Sequence, residues 1–212
     1  MFERFLDTYD AVPDDAEVAP IWDGGGHLLE VPGYEDLMRS SSGRSFGSGI
    51  YRLHSAESGA RMHAHISAAF PEWARRAVVF GYDWLGRQFA ADFGQRGDDG
   101  PLIVLLEPGT GEVLTIPAGF QRFHDIELVD QPDAALAAGF FREWSATQAG
   151  ALPLGHDRCV GYEVPLFLGG QDSIENLEEI DLDVYWTVVG QLIARTRGLE
   201  PGTPIDGVSG DG

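Results

Sequence analysis

The sequence predicts an α+β fold in which helices pack against a largely antiparallel, twisted sheet. Two hairpin patterns in the middle of the chain support this class, one at residues 77–93 and one at residues 102–117. The turn of the second hairpin, PGTG, has the residues that tight turns require. Helical periodicity near both ends supplies the helices. A parallel, doubly wound sheet is less favoured because strands and helices do not alternate regularly.

The first third of the chain is predicted to contain short helices around one strand. Phe2, Phe5 and Tyr9 recur at helical spacing, so a short amphipathic helix opens the chain. Residues 11–33 contain three Pro and four Gly, which indicates a loop. The elements expected next are a helix at 34–39, a flexible turn at 40–49, a strand at 50–54 and a helix at 57–70 that stops at Pro71.

The last third combines a second helical region with an acidic run. The elements expected there are a turn or short helix at 120–129, a helix at 133–147, a strand at 160–167, an acidic loop and a helix at 183–197. The final helix has an apolar stripe and a basic end that suits the helix dipole. Three regions follow: an N-terminal helix and loop region (1–70), an α+β domain (71–197) and a Gly/Pro-rich tail (198–212) that we expect to be disordered.

The charge of the chain restricts its partners. Thirty-four acids oppose 14 bases, all of them Arg, for a formal net charge of -20. Such a field repels nucleic acid and anionic lipid, because both are bound mainly through basic side chains. A basic protein is the natural complement, although a high charge also serves solubility alone. We therefore expect no direct nucleic-acid partner and no membrane partner.

Cysteine content and hydropathy point to the cytoplasm. The single cysteine, Cys159, excludes an internal disulfide and a cysteine-based zinc site, and it is predicted to be a small buried hydrophobe. The first fifteen residues lack the uninterrupted apolar segment of a signal peptide. No run approaches the roughly 20 apolar residues of a membrane span.

The histidines do not form a convincing catalytic or metal motif. His63 and His65 have the HxH spacing of a metal pair, but positions i and i+2 share a face only on a strand, and this segment reads as helix. His124 beside Asp125 has no GxSxG nucleophile to serve. His54 and His156 are interpreted as edge or loop residues. We therefore predict no catalytic residues, no metal and no cofactor.

The acidic run is the strongest candidate for a binding surface. Its register does not fit a calcium loop, because apolar residues intervene between the acids. Three interpretations are open: a solvated face, an edge that binds a basic partner, or paired carboxylates for acid and base catalysis, the last being least favoured for exposed acids. The candidate partner-binding residues are Glu175, Glu178, Glu179, Asp181 and Asp183.

Several segments carry a family resemblance. They are VGYEVPLFLGG (160–170), ENL (175–177), DVYW (183–186) and GQL (190–192), with GIYRLH (49–54) and FGYDWLGR (80–87) upstream. Together they resemble the immunity proteins that protect bacteria from type VI secretion DNase effectors, over about residues 34 to 197. A looser likeness connects the chain to the SUKH group of α+β immunity proteins.

This resemblance implies a non-enzymatic protein that binds and neutralises a toxin, with residues 1–70 containing a shortened GAD-like part. The implied partner is a basic nuclease, which an acidic surface would meet; the oligomeric state is left open. The residues of the motif that we expect to act as scaffold are Pro165, Gly169, Gly170, Asn176, Tyr185, Trp186 and Gln191. The alternatives are a cytoplasmic enzyme that uses His54, His63, His65 or His124, and a regulatory protein-binding scaffold.

Overall fold

The structure of the chain is a computed structural model that describes residues 1–12, 17–148, 150 and 152–198. Six strands form one antiparallel meander, in which each strand pairs with the next along the chain. They are β1 (Ser45–Phe46), β2 (Tyr51–Leu53), β3 (Ala77–Asp83), β4 (Gln88–Gly97), β5 (Gly100–Glu107) and β6 (Glu112–Ile116). A separate antiparallel pair consists of β7 (Arg158–Tyr162) and β8 (Leu177–Asp181).

Eight α-helices make up much of the remaining described chain. They are α1 (Glu3–Thr8), α2 (Tyr34–Ser41), α3 (Ala56–Ala69), α4 (Phe120–Arg122), α5 (Leu128–Asp130), α6 (Pro132–Leu136), α7 (Ala138–Thr147) and α8 (Leu182–Thr196). A π-helical turn (Phe123–Glu127) joins α4 to α5. The predicted α+β class is confirmed, and the predicted helices at 34–39, 57–70 and 183–197 agree with α2, α3 and α8. Within the described residues, no helix combines the length and apolarity needed to cross a bilayer.

Alternating side chains give the six-stranded sheet two apolar faces. On one face Phe89 and Ile103 belong to a core that α1, α2 and α7 cover. On the opposite face Ala90 and Val104 belong to a second core beneath α3 and α8. Since successive residues of a strand point to opposite faces, a continuous apolar run such as that of β3 marks a strand covered on both sides. The sheet is therefore a central layer between two layers of helices.

The sheet contains strands from both of the predicted regions. β1 and β2 precede residue 71, and β2 pairs with β3, which follows it. The division into regions 1–70 and 71–197 stays a prediction. Of the tail predicted to be disordered, residues 199–212 lie outside the described residues.

One predicted helix is divided into two helices in the structure. Residues 133–147 were expected to form one helix, but α6 and α7 are separated at Ala137, whose φ of 50° is left-handed. The break turns main-chain carbonyls toward other donors: Trp84 Nε1 donates to the Leu136 oxygen at 2.9 Å, and Arg87 donates to the Ala135 oxygen at 3.1 Å. Tertiary hydrogen bonds therefore replace helical ones at this point, which local sequence periodicity cannot reveal.

The strand predicted at 160–167 also ends early. β7 stops at Tyr162, and a short 3-10 turn, Leu166–Leu168, follows Pro165. Pro165 has no N–H to donate to a sheet, and the Asn176 side chain binds both the N–H and the oxygen of Val164 instead. The acidic segment, in contrast, was predicted to be a loop, yet five of its residues form β8.

Candidate functional site

The last two of the five candidate acids attach α8 to the rest of the molecule. Asp181 is the N-cap of α8, and its carboxylate accepts a hydrogen bond from the Val184 N–H at 2.9 Å. Asp183 lies in the first turn and forms an ion pair with Arg61 of α3 at 3.0 Å. His65 of α3 is 3.7 Å from the same carboxylate. These two acids therefore have structural contacts within the chain.

The other three acids differ in what they face. Glu179 forms an exposed ion pair with Arg158 across the β7–β8 pair, at 3.0 Å. Glu175 is exposed, and two hydrogen bonds lower the pKa of its carboxyl: the larger effect comes from the Glu175 backbone N–H and the smaller from the Ser173 hydroxyl. Glu178 points to the opposite face of β8 from Glu179, as strand alternation requires, and there it borders a groove. In the described part of the chain Glu178 has no ion pair.

A closed loop, residues 163–176, joins β7 to β8. The Asn176 amide spans its neck, donating to the oxygens of Val164 and Gln171 at 2.9 and 2.8 Å. At Gly170 a Cβ atom would lie only 1.8 Å from the Val164 oxygen, so the neck can close only around a glycine. Gly169 has a φ of 91° and open space around it, so glycine is favoured there by conformation rather than by contact.

Aromatic side chains of α8 fix the helix against the sheet. Trp186 is buried and its Nε1 donates to the Gly86 oxygen at 2.8 Å. The Tyr185 ring packs over Gly161, where an added Cβ would come within 2.5 Å of the ring, and the Tyr185 hydroxyl accepts the Tyr162 N–H at 3.3 Å. Gln191 is exposed on α8 and borders a shallow pocket near His65, so its predicted scaffold role stays a prediction.

The groove that Glu178 borders lies between α8 and the β7–β8 pair and has a volume of about 260 Å³. Ile180, Val188, Val189 and Leu192 line it, with the carboxylates of Glu163 and Glu178 beside them. Val188 is 52% exposed, and its helical neighbour Val184 is 51% exposed. We call this surface the α8 groove. Its apolar floor and acidic border suit a partner segment that combines apolar and basic side chains.

Two of the four histidines suggested for an enzyme are buried. His54 is buried, bonded to Gln88 and Ser58, and burial lowers its pKa to about 3. It lies in the link between β2 and α3, as the loop interpretation expects, although its side chain is buried. His124 is also buried, between the Tyr51 hydroxyl and the Phe120 oxygen, and burial lowers its pKa to about 3. Both rings are neutral at pH 7 and are used as internal hydrogen-bonding groups.

The other three side chains considered for chemistry are His63, His65 and Cys159. His63 and His65 lie on α3 as predicted, and a helical spacing of two residues directs them to different sides. Cys159 is buried beneath Gly86, and burial raises the pKa of its thiol, so it is the small buried hydrophobe that the sequence indicated.

Sequence reasoning missed a buried charge cluster in the turn after β3. Arg87 donates through Nε to the Asp83 carboxylate at 2.6 Å, and the same carboxylate accepts the N–H groups of Leu85 and Arg87 at 3.0 Å. Glu107, at the end of β5, is 3.7 Å from Arg87. The signal was the pair of opposite charges that begins and ends DWLGR, four residues apart. Glu163 of the α8 groove was also missed, because it stands outside the acidic run.

Fold and groove together define an acidic α+β protein with an apolar cleft bordered by carboxylates. Residues 144–193 match the family model described as T6SS immunity protein Tdi1, C-terminal. This match confirms the resemblance to type VI secretion immunity proteins for the C-terminal part of the chain, while the likeness to the SUKH group stays a prediction.

One solved structure supports the architecture of nearly the whole chain. The fold is similar to that in the crystal structure of Atu4351 from Agrobacterium tumefaciens, with a TM-score of 0.62. The two sequences are 17% identical, and the similarity covers 90% of this chain and 89% of that chain. At this identity the likeness concerns the fold alone. No curated protein sequence matches the chain.

Proposed function

We propose that the chain is a non-enzymatic immunity protein that binds and neutralises a basic toxin, a nuclease, through an acidic surface that includes the α8 groove. One observation carries the proposal: every residue that lines the groove lies within residues 144–193, the segment that matches the immunity-protein family. The net charge of -20 supports a basic partner. A nuclease needs basic side chains to hold phosphate, so it presents a complementary charge.

In this proposal the acids have different roles, some in contact with the partner and others in contact with the chain itself. Glu163 and Glu178 border the apolar floor and are exposed, so a partner can reach them. Asp181 and Asp183 contact the chain itself, as the cap of α8 and the link to α3. Glu175 and Glu179 add to the surrounding negative field. In this proposal Val184 and Val188 supply apolar contact area, and the carboxylates orient the partner and accelerate encounter.

The enzyme alternative loses support from the placement of two of its four candidate histidines. His54 and His124 are buried and bonded within the core, where a substrate does not reach them. The described lining of the α8 groove contains neither His, Cys nor Ser. A binding role uses the groove as it stands.

Charge reversal in the groove tests the proposal. The chain is co-expressed with a candidate nuclease toxin, and growth and complex formation are measured. The variant Glu163→Arg/Glu178→Arg should fold like the parent, because exposed charges contribute little to stability. Its affinity for the toxin should fall by roughly a hundredfold or more, since like charges across an interface cost several kcal/mol.

A matched control separates local contact from net charge. Glu30 and Asp98 are exposed and do not line the groove, so Glu30→Arg/Asp98→Arg changes the net charge equally. This control should protect like the parent. Equal protection by the groove variant and the control would remove the groove from the interface. Failure of the parent to protect against the toxin would contradict the immunity role itself.

A further inference from the structure

A second cavity lies next to the α8 groove, and Tyr162 lines both of them. Its volume is about 460 Å³, and four parts of the chain meet around it: the turn after β3, the β5–β6 turn, α7, and the end of β7 with the 163–176 loop that follows it. Charged and aromatic side chains line it together, namely Arg87, Glu107, Phe140, Glu143, Tyr162 and Asp172. We call it the Glu107 cavity.

The one basic side chain in this lining is already neutralised. Arg87 forms a tight ion pair with Asp83, with an Nη2–carboxylate distance of 2.5 Å, and the same nitrogen donates to the Ala135 oxygen. Its third nitrogen, Nη1, is 3.7 Å from Glu107, which is longer than a direct hydrogen bond. Arg87 therefore bonds directly to Asp83 and meets Glu107 only across this longer ion-pair distance.

Three carboxyl groups line the cavity, against the single guanidinium of Arg87, which Asp83 already pairs. Glu107 lies inside it, with a side chain that is only 13% exposed. Asp172, in the 163–176 loop, accepts a hydrogen bond from the Tyr162 hydroxyl at 2.7 Å, which holds it at the cavity. Glu143 of α7 is exposed at the same lining. Because low local dielectric strengthens such interactions, the cavity favours a cation.

The apolar lining favours a flat cation over a compact one. Phe140 and Leu166 stand among the carboxyl groups, and Phe140 is partly buried against Trp84. A guanidinium group can stack on an aromatic ring while its edge donates two parallel hydrogen bonds to a carboxylate. An ammonium group is more strongly hydrated and lacks this planar match.

We propose that the Glu107 cavity binds the guanidinium group of an arginine side chain presented by a protein partner. This inference deepens the proposed function, since it names the side chain that a basic toxin would insert beside the α8 groove. The 163–176 loop lines both depressions through Pro165 and Leu166, so one partner that covers this loop reaches both.

The protonation of Glu107 gives the proposal a second readout. Burial, partly offset by Arg87, raises the pKa of Glu107 to about 7. The other groups that face it are Asp83, the Gly109 N–H, Asp172 and the hydroxyls of Tyr162 and Tyr185, and Glu143 stands in the same lining. A bound cation favours the ionised carboxylate, so binding should strengthen as the pH rises through about 7 and should release a proton.

The test uses small probes and the full chain. N-acetyl-arginine methylamide is titrated into the ¹⁵N-labelled protein, with the neutral citrulline analogue and the lysine analogue as comparisons. Saturable shifts of the amide signals of residues 107–111, 137–143 and 162–172 are expected for the arginine compound alone. Equal binding of the lysine compound would overturn the guanidinium assignment, and the absence of saturable shifts at any soluble concentration would overturn the site.

Variants localise the binding. Glu107→Gln should weaken arginine binding about tenfold and remove its pH dependence, as expected for the loss of a charge-assisted hydrogen bond. Glu112→Gln is the matched control, because Glu112 pairs with Glu107 across β5 and β6 but does not line the cavity. Should Glu107→Gln fail to fold, Asp172→Asn and Phe140→Leu should each weaken binding. Unchanged affinity in all of these variants would contradict the proposal.

These measurements are independent of the toxin. Loss of arginine-probe binding in the cavity variants says nothing about the α8 groove, and loss of protection in the groove variant leaves the cavity assignment standing. A protein that neutralises its toxin but binds none of the probes would contradict only the cavity assignment.

Discussion

Trp186 joins α8 to the sheet through one buried ring. It is 1% exposed and donates to the Gly86 oxygen, which belongs to the turn after β3. Truncation would remove this hydrogen bond and leave a cavity in the core that lies beneath α3 and α8. The Trp186 side chain thus connects two parts of the sequence that are 100 residues apart.

We expect Trp186→Ala to lower the free energy of unfolding by ~3–5 kcal/mol, which is a large share of the stability of an ordinary domain. Urea titration followed by circular dichroism measures the change. Val184→Ala serves as the control on the same helix, since Val184 is 51% exposed and should change stability by about 0.5 kcal/mol or less. A Trp186→Ala protein that unfolds at the parent's urea concentration would show that the ring is not part of the core.

Glu107 should make stability depend on pH. Burial raises its folded-state pKa to about 7 from an ordinary value of 4.5, although Arg87 lowers it in part. Between these two values the folded protein retains a proton that the unfolded chain releases. Stability is therefore lost as the pH rises from about 4.5 to about 7, and it stays low above that.

Glu107→Gln should remove this dependence. Relative to the parent, the variant should gain roughly 3 kcal/mol between pH 4.5 and pH 8, an upper value because Glu107 is coupled to the buried Asp83 carboxyl, whose pKa burial also raises. Urea unfolding of both proteins across this pH range measures the difference. A stability difference that is constant with pH would mean that Glu107 is ionised throughout in the folded protein.

The start of α8 depends on one of the five candidate acids. Asp181 belongs to β8 and at the same time caps α8 by accepting the Val184 N–H. An element boundary of this kind leaves the first N–H groups of the helix without helical partners, so a side-chain acceptor stabilises it. The acidic run thus contains both structural and exposed carboxylates within a few residues.

Asp181→Ala should lower the free energy of unfolding by about 1 kcal/mol, the usual cost of removing an N-cap. Glu178→Ala is the comparison, because Glu178 is exposed on the same strand and is expected to leave stability nearly unchanged. Thermal unfolding of both variants distinguishes them. If Asp181→Ala were as stable as Glu178→Ala, the cap would not contribute, and Asp181 would be available to a partner.

The net charge of -20 is a property of the whole molecule, and it opposes the binding of polyanions such as nucleic acid. We expect no binding of duplex DNA at physiological salt, because the field opposes phosphate and releases no condensed counterions. A band-shift assay over a range of salt concentrations measures this, with a basic DNA-binding protein as the positive control. A complex that persists at physiological salt would require a basic surface that the composition does not suggest.

The periodicity of the sequence predicts the α+β class, the hairpins and, to within two residues, the bounds of α2, α3 and α8, because these features depend on residues that are near one another in the chain. The motif around residues 160–192 likewise indicates the immunity-protein family, and the family match at 144–193 agrees. Charge composition alone suggests a basic partner.

Long-range contacts decided the rest. The break at Ala137 exists because Trp84 and Arg87 capture carbonyl groups about 50 residues away, and no local pattern encodes that competition. The same holds for the five acids: strand alternation, the cap of α8 and the contact with α3 separate Asp181 and Asp183 from Glu178. The Glu107 cavity is assembled from four distant segments, and its charge balance depends on Asp83 neutralising Arg87. Burial and pairing are properties of neighbours in space, so only the tertiary structure determined which charges face the interior and which face solvent.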